Sequence, residues 1–307
     1  MLSSVAERLY WMSRYLERSE NVARLIQSYN HLIFDIPIGA EPDWFILIEV
    51  LDAYETFDRV ISERTEANVH RFLISRTTIS NSIAYSINSA RENARTTRDV
   101  LPEDVWEQAN HLHIYASENA SKSIGRRSRI VFLEEIIKRL QALNGLMESS
   151  LLRDDAYRFI SIGRKIERAD MTARILKVAG GDIISRENQH IDLQPFLWGA
   201  LLDALYAKSA FRRIKGPVIS KEQTLDFVLN STDFPRSIAY CINDIDREVA
   251  NLPENSELKK ILRKQKKIIN TYNVQNVGFE QIERFNKEFQ NNLIAMNKTL
   301  YKNWFDR

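Results

Sequence analysis

Residues 14–24, RYLERSENVAR, return 150 positions later as RKIERADMTAR at residues 164–174. A chain that carries the same charged helix twice is constrained to folds able to house two equivalent helices. Along the first copy Leu9, Met12, Leu16, Ser19, Ala23 and Ile26 alternate spacings of three and four, the buried seam of a helix packed lengthwise on others. The second copy places Phe159, Ile162, Ile166, Ala169, Ala173 and Leu176 at the same offsets. Both seams run from large to small, which lets a neighbouring helix approach closely near Ser19 and Ala169.

The likeness extends beyond this pair. NSIAYSIN at 81–88 matches RSIAYCIN at 236–243, and LPE at 101–103 matches LPE at 252–254. Periodicity predicts helices near 4–30, 42–61, 65–76, 81–99, 103–120 and 126–150, then 153–178, 192–213, 221–231, 235–251, 256–272 and 279–302. Ser4 and Glu7 have capping-box spacing at the start of the first. Turns are expected at IPIGAEP (36–42) and AGGDIISREN (179–188), with Gly180 and Gly181 placed to end a helix. Only nine glycines and seven prolines occur in 307 residues, too few for a strand-and-turn architecture. The expectation is therefore an all-α bundle of two duplicated six-helix units, 1–151 and 152–307, related by a pseudo-twofold and forming one continuous globular domain. A tandem solenoid is the competing arrangement, but it normally requires three or more short units.

Between the copies the charges keep their identity: Arg14, Glu17, Arg18 and Arg24 match Arg164, Glu167, Arg168 and Arg174, with Ala23 matching Ala173. Core positions keep only their type. Three readings stand open. Glu17 and Glu167 form a buried network bridged by arginines across the pseudo-twofold; the same residues, with Asp170, form a ligand or partner site; or Arg14 with Glu17 and Glu20 with Arg24 are ordinary surface pairs, worth about 0.2–0.5 kcal/mol each. Arginine in place of lysine directs a ligand reading toward carboxylates or phosphates, since guanidinium meets both oxygens at once.

The halves also differ. The first alone carries ARENARTTRD at 90–99, where Arg91, Arg95 and Arg98 can share a helix face with Glu92 beside them; a solvated arginine face is the alternative. The second alone carries DFPRS at 233–237, with Pro235 suited to a first helical position and Arg236 near a helix N-terminus that favours anions.

Several chemistries are disfavoured. Formal net charge is +2 with both signs interspersed, so no global field argues for nucleic acid or membrane, and the run KKILRKQKK at 259–267 is interrupted by Ile261 and Leu262. Phosphate-cradling glycine loops are absent, Cys241 has no neighbouring histidine, His111 and His113 point to different sides of a helix, and Glu-x-x-His spacing occurs once, at Glu187–His190, where a di-metal bundle needs it on two helices. No metal or cofactor is expected. Glu7 and Arg8 interrupt any signal peptide and no run is long enough to span a membrane, so a soluble, cytoplasmic protein of bacterial style is expected.

LYWMSRYLERSENVAR (9–24), SARENARTTRD (89–99), YRFISIGRKIERADMTAR (157–174) and FPRSIAYCI (234–242) together resemble the alpha-E family, a helical domain named for its Glu-Arg motif. Ser13 stands where that motif commonly has glycine, and Ser19 where it has alanine. The resemblance implies a tandemly duplicated helical protein associated with circularly permuted ATP-grasp ligases and transglutaminase-like proteins in peptide synthesis or modification. It supplies no catalytic residue, only Glu17, Arg18, Glu167, Arg168 and their motif neighbours. The leading expectation is an accessory component that binds a peptide, an acidic substrate or the ligase. The alternatives are an amide-bond-forming enzyme with Glu17 or Glu167 as general base, and a ligand-free helical scaffold.

Overall fold

The computed structural model describes residues 1–36, 43–180, 194–275 and 277–306. Among the described residues the protein is all-α: fourteen α-helices and no strand. They are α1 (Ser3–Asp35), α2 (Ile46–Val50), α3 (Tyr54–Val60), α4 (Glu66–Ile74), α5 (Ile83–Arg95), α6 (Glu103–Asn119), α7 (Arg126–Ser150), α8 (Asp155–Ala179), α9 (Gln194–Ala204), α10 (Lys208–Lys215), α11 (Lys221–Asn230), α12 (Ile238–Ala250), α13 (Ser256–Thr271) and α14 (Phe279–Leu300).

α1 and α8 are the central pair. α1 packs against α8 and is enclosed by α5, α7 and α9; α8 is enclosed by α12, α14 and α2. Every residue of the two predicted seams is buried. So is every residue from Ser19 to Ile26, because α1 is wrapped on all sides rather than along one stripe. Each central helix also contacts the other half's short helix, α1 touching α9 and α8 touching α2.

The central pair makes a close backbone contact at Gly163, earlier along the seam than Ala169. A Cβ on Gly163 would sit 2.5 Å from the Tyr10 carbonyl oxygen, beside the Ser13 hydroxyl. Ser13 Oγ donates to that same carbonyl at 2.8 Å.

Local expectations fail at identifiable places. The predicted helix 42–61 is split into α2 and α3, and 192–213 into α9 and α10. At both breaks a non-glycine residue takes a left-handed conformation, Asp52 at φ 52° and Tyr206 at φ 53°. Each break closes with the Schellman bond pair: Ala53 N–H to Ile48 O and Asp52 N–H to Glu49 O, then Ala207 N–H to Leu202 O and Tyr206 N–H to Asp203 O. The capping box at Ser4 does not form; α1 starts behind Leu2 with no side-chain cap. Pro235 is not the first residue of α12, whose N-cap is Ser237, with Ser237 Oγ accepting from Tyr240 N–H at 3.1 Å. Gly180 ends α8 at φ −84°, so its need for glycine is spatial: a Cβ there would lie 2.5 Å from Ile282 Cδ1. Gly181 and most of both predicted turns lie outside the described residues.

Candidate functional site

The periodicity that buries the seam turns the Glu-Arg face of each central helix toward the other half. Glu167 on α8 accepts from Arg18 Nε at 2.5 Å and Nη2 at 3.0 Å, and from Arg14 Nε at 2.8 Å. Glu17 on α1 accepts from Arg168 Nε at 2.9 Å and Nη2 at 2.7 Å. The arginines therefore skip the same-helix pairing expected of Arg14 with Glu17 and cross between helices, each glutamate being held in a two-pronged grip by the other helix's motif arginine.

The third donor differs between the two carboxylates. Glu167 receives it from Arg14, whose guanidinium also reaches Tyr10 Oη and Asn297 Oδ1. Glu17 receives it from Arg236 Nη1 at 2.9 Å, not from Arg14's counterpart Arg164. Arg236 thus precedes α12 and reaches inward: its Nη1 also donates to Asn21 Oδ1 at 2.8 Å and its Nη2 to Glu20 Oε1 at 2.7 Å. Arg164 instead approaches Glu148, with Nη2 3.0 Å from Oε1 but without hydrogen-bond alignment.

Further along the same faces Arg24 Nε donates to Glu20 at 2.8 Å and Arg174 Nε to Asp170 at 2.9 Å. Each of these arginines meets the opposite half at its helix break. The Arg24 guanidinium lies 4.6 Å from the centre of the Tyr206 ring, and Arg174 Nη1 donates to Leu51 O at 3.2 Å. Thus Arg14, Glu17, Arg18, Arg24, Glu167, Arg168, Asp170, Arg174 and Arg236 belong to one inter-helix system. Arg91, Glu92 and Arg95 do not join it. They pair among themselves toward α6, Arg91 Nε reaching Asn110 Oδ1 at 3.1 Å and its guanidinium lying 5.3 Å from the Trp106 ring centre.

Sequence reasoning missed Asn21, Tyr10 and Asn297 and the buried pair Lys165–Asp244 at 2.6 Å, and took Glu20 only as a surface partner of Arg24. Glu20 had a usable signal, since Asp170 keeps an acid at the matching place.

Burial alone would push both carboxyls upward, but the guanidinium groups outweigh it. Arg168 and Arg236 hold Glu17 at about 2, and Arg18 and Arg14 hold Glu167 at about 2. Because both folded values lie below the unfolded value of 4.5, the stability these groups contribute is complete above pH 4.5 and is lost as pH falls toward about 2. Urea melts should therefore show the midpoint falling across this window. A Glu17→Gln/Glu167→Gln variant, already weakened at neutral pH, should lose much of that dependence. Elsewhere, burial pushes the Cys241 thiol up to about 11, although Arg168 and Lys165 pull it down, so it is a packed thiol and a poor nucleophile.

The whole length matches one family model, the Alpha-E family, described as a predicted alpha-helical domain with a conserved ER motif, over residues 1–305. The chain belongs to the Alpha-E family. Among curated proteins, uncharacterized proteins of Mycobacterium bovis and of Mycobacterium tuberculosis strain CDC 1551 are each 21% identical over 272 residues, covering 82% of this chain. A third, from Mycobacterium tuberculosis strain H37Rv, is 20% identical over the same length. The chain spans 30% of the length of these relatives. No solved structure matches it. In this Alpha-E chain the glutamates and arginines of the two ER motifs, Glu17–Arg18 and Glu167–Arg168, are the ones that exchange partners between α1 and α8. Among the described residues no group of histidine, cysteine, aspartate or glutamate is arranged to hold a metal ion, and no helix is long and apolar enough to cross a membrane.

Proposed function

We propose that this Alpha-E chain is a non-catalytic helical component of a peptide synthesis or modification system. In this reading it works with a circularly permuted ATP-grasp ligase and a transglutaminase-like protein and binds a peptide or the ligase itself. The observation that carries the reading is the condition of the two motif glutamates. Each is buried, saturated by three guanidinium N–H donors and depressed to about 2, which removes the basicity a proton-abstracting carboxylate needs. The ER motif then acts as a joint between two halves rather than as reacting groups. The exchanged ion pairs and the matched breaks at Asp52 and Tyr206 support reading the halves as copies, 1–151 and 152–307, that share one core.

With the glutamates occupied, binding falls to the surface beside them. A cavity of about 630 Å³ opens where the stripe ends at Arg174, lined by Lys177 and Arg284 and by Glu49, Asp52 and Glu283. Both charge signs face one opening, which suits a peptide with a free acid and a free amine or cationic side chain. That the mycobacterial relatives hold the matching region within a much longer polypeptide also fits a component that operates joined to others.

The test is capture of the ligase on the purified chain, with ATP consumption measured with and without it. Stimulation is expected, and Lys177→Glu with Arg284→Glu should weaken capture about tenfold or more without lowering the melting temperature. Absence of both association and stimulation overturns the proposal. Turnover by the chain alone, abolished by Glu17→Gln, would establish the enzymatic alternative.

A further inference from the structure

α7 begins Gly125-Arg126-Arg127-Ser128-Arg129 and runs 25 residues to Ser150. Its N-cap is Gly125, which supplies no side-chain cap, so the first N–H groups of the helix emerge without an acceptor from the cap residue. The start of a helix carries roughly half a positive charge and normally gathers acids. The first turn of α7 has no acid. It has arginines, and Lys122 precedes it. Stacking cations on a positive helix end is unfavourable in an empty site and favourable with an anion bound.

The surroundings have the form of such a site. Two cavities, of about 500 Å³ and 690 Å³, are both lined by Gly125 and Arg126. The first is also walled by Thr65, Glu66 and Ala67 of the α4 N-terminus and by Asn30 of α1. Asn30 is only 4% exposed; its Oδ1 accepts from Arg129 Nη2 at 3.0 Å, while its Nδ2 has no acceptor among the described residues. Beneath, Arg129 is 1% exposed and locks the floor by donating to Ile124 O at 2.9 Å and Glu66 Oε1 at 2.7 Å. Arg129 is thus neutralised by Glu66. Arg126 and Arg127 have no ion pair among the described residues; the Arg126 guanidinium rests 4.0 Å from the Phe34 ring centre.

The framework does not require this polar cluster, because the second half lacks it at matching places. Arg129 is the fourth residue of α7, and the fourth residue of α14 is Ile282; Asn30 corresponds to Gly180, which packs directly on Ile282; and Glu66, which opens α4, is matched by Lys221, which opens α11. An apolar contact fills the place that the first half gives to an arginine and an asparagine.

We propose that the α7 N-terminus, with Arg126, Arg127 and Asn30, is a binding site for a phosphate monoester. Several outward N–H groups, two unpaired guanidinium groups and a buried amide suit a dianion with three free oxygens better than a single carboxylate. The test is titration calorimetry of the full chain at low ionic strength with inorganic phosphate, phosphoserine and acetate, alongside thermal melts. Millimolar or tighter binding of phosphate is expected, with a raised melting temperature and no comparable effect of acetate. Phosphoserine binding more tightly than inorganic phosphate identifies the monoester carrier as a phosphorylated residue; equal binding assigns the affinity to the phosphoryl group itself.

The Arg126→Ala/Arg127→Ala variant should melt no lower than the parent in phosphate-free buffer, since it relieves repulsion, yet bind phosphate about tenfold more weakly or worse. Asn30→Leu should weaken binding with both arginines intact. The proposal is overturned if phosphate does not bind, if the double variant binds as tightly as the parent, or if acetate at equal ionic strength has the same effect.

Discussion

Glu167→Ala is expected to destabilise the protein by about 3–5 kcal/mol, among the largest effects of any single substitution. The loss arises from what remains behind. Arg14 and Arg18 expose only 13% and 17% of their side chains, and both direct their Nε at the vanished carboxylate. Arg14 keeps Tyr10 and Asn297 as neutral partners, whereas among the described residues Arg18 retains only its approach to the Tyr15 ring, 5.5 Å from its centre. Urea unfolding monitored by circular dichroism measures the effect. A second variant separates loss of charge balance from loss of packing: replacing Arg14, Arg18 and Glu167 together by methionine, methionine and leucine removes every uncompensated charge while keeping volume. It should recover most of the lost stability, since well-packed apolar groups commonly match a buried ion network. If Glu167→Ala costs under about 1 kcal/mol, the range of an exposed pair, the network is not the joint described here.

That joint was largely legible in the sequence, for a physical reason. Charges that recur identically at Arg14, Glu17, Arg18 and Arg24 and again 150 residues on point to fixed partners; the structure supplies them across the α1–α8 contact for Arg14, Glu17, Arg18, Glu167 and Arg168, while Arg24 and Arg174 pair within their own helices and Arg164 approaches Glu148 on α7. The seam was legible as well, because burial on one face imposes the three-four spacing directly.

What escaped depends on contacts between distant segments. Asp52 and Tyr206 adopt left-handed backbone with no glycine to announce it. Each break is adjoined by an arginine from the other central helix, Arg174 at the Leu51 carbonyl and Arg24 at the Tyr206 ring, and local propensity contains neither partner. At FPRS the helix start lies later than the spacing suggested: Ser237, not Asp233 or Phe234, takes the cap, and Arg236 just before it reaches Glu17, Glu20 and Asn21. Glu20 with Arg24 has the spacing of a wet surface pair, and only the enclosure of α1 on every side makes it buried.

Gly163→Ala is the second substitution expected to have a large effect, and its sign opposes helix propensity. In the interior of a 25-residue helix alanine is intrinsically favoured over glycine by about 1 kcal/mol. Here the added methyl would sit 2.5 Å from the Tyr10 carbonyl oxygen, with Tyr10 Cδ2 at 3.1 Å. The ring can turn aside, but the carbonyl is part of α1 and moves only if α1 and α8 separate. Separation lengthens the Arg18–Glu167 and Arg168–Glu17 bonds together, because all four groups lie within two turns of the crossing. Net destabilisation of about 1–3 kcal/mol is expected from overpacking, with a steeper decline in acid as the glutamates lose their partners. Ser13→Ala in the same chain should not rescue it, since the obstructing atom is backbone. Rescue by Ser13→Ala would instead place the constraint on the hydroxyl, and an unchanged or raised melting temperature in Gly163→Ala would mean that the central helices are not in close backbone contact at this crossing.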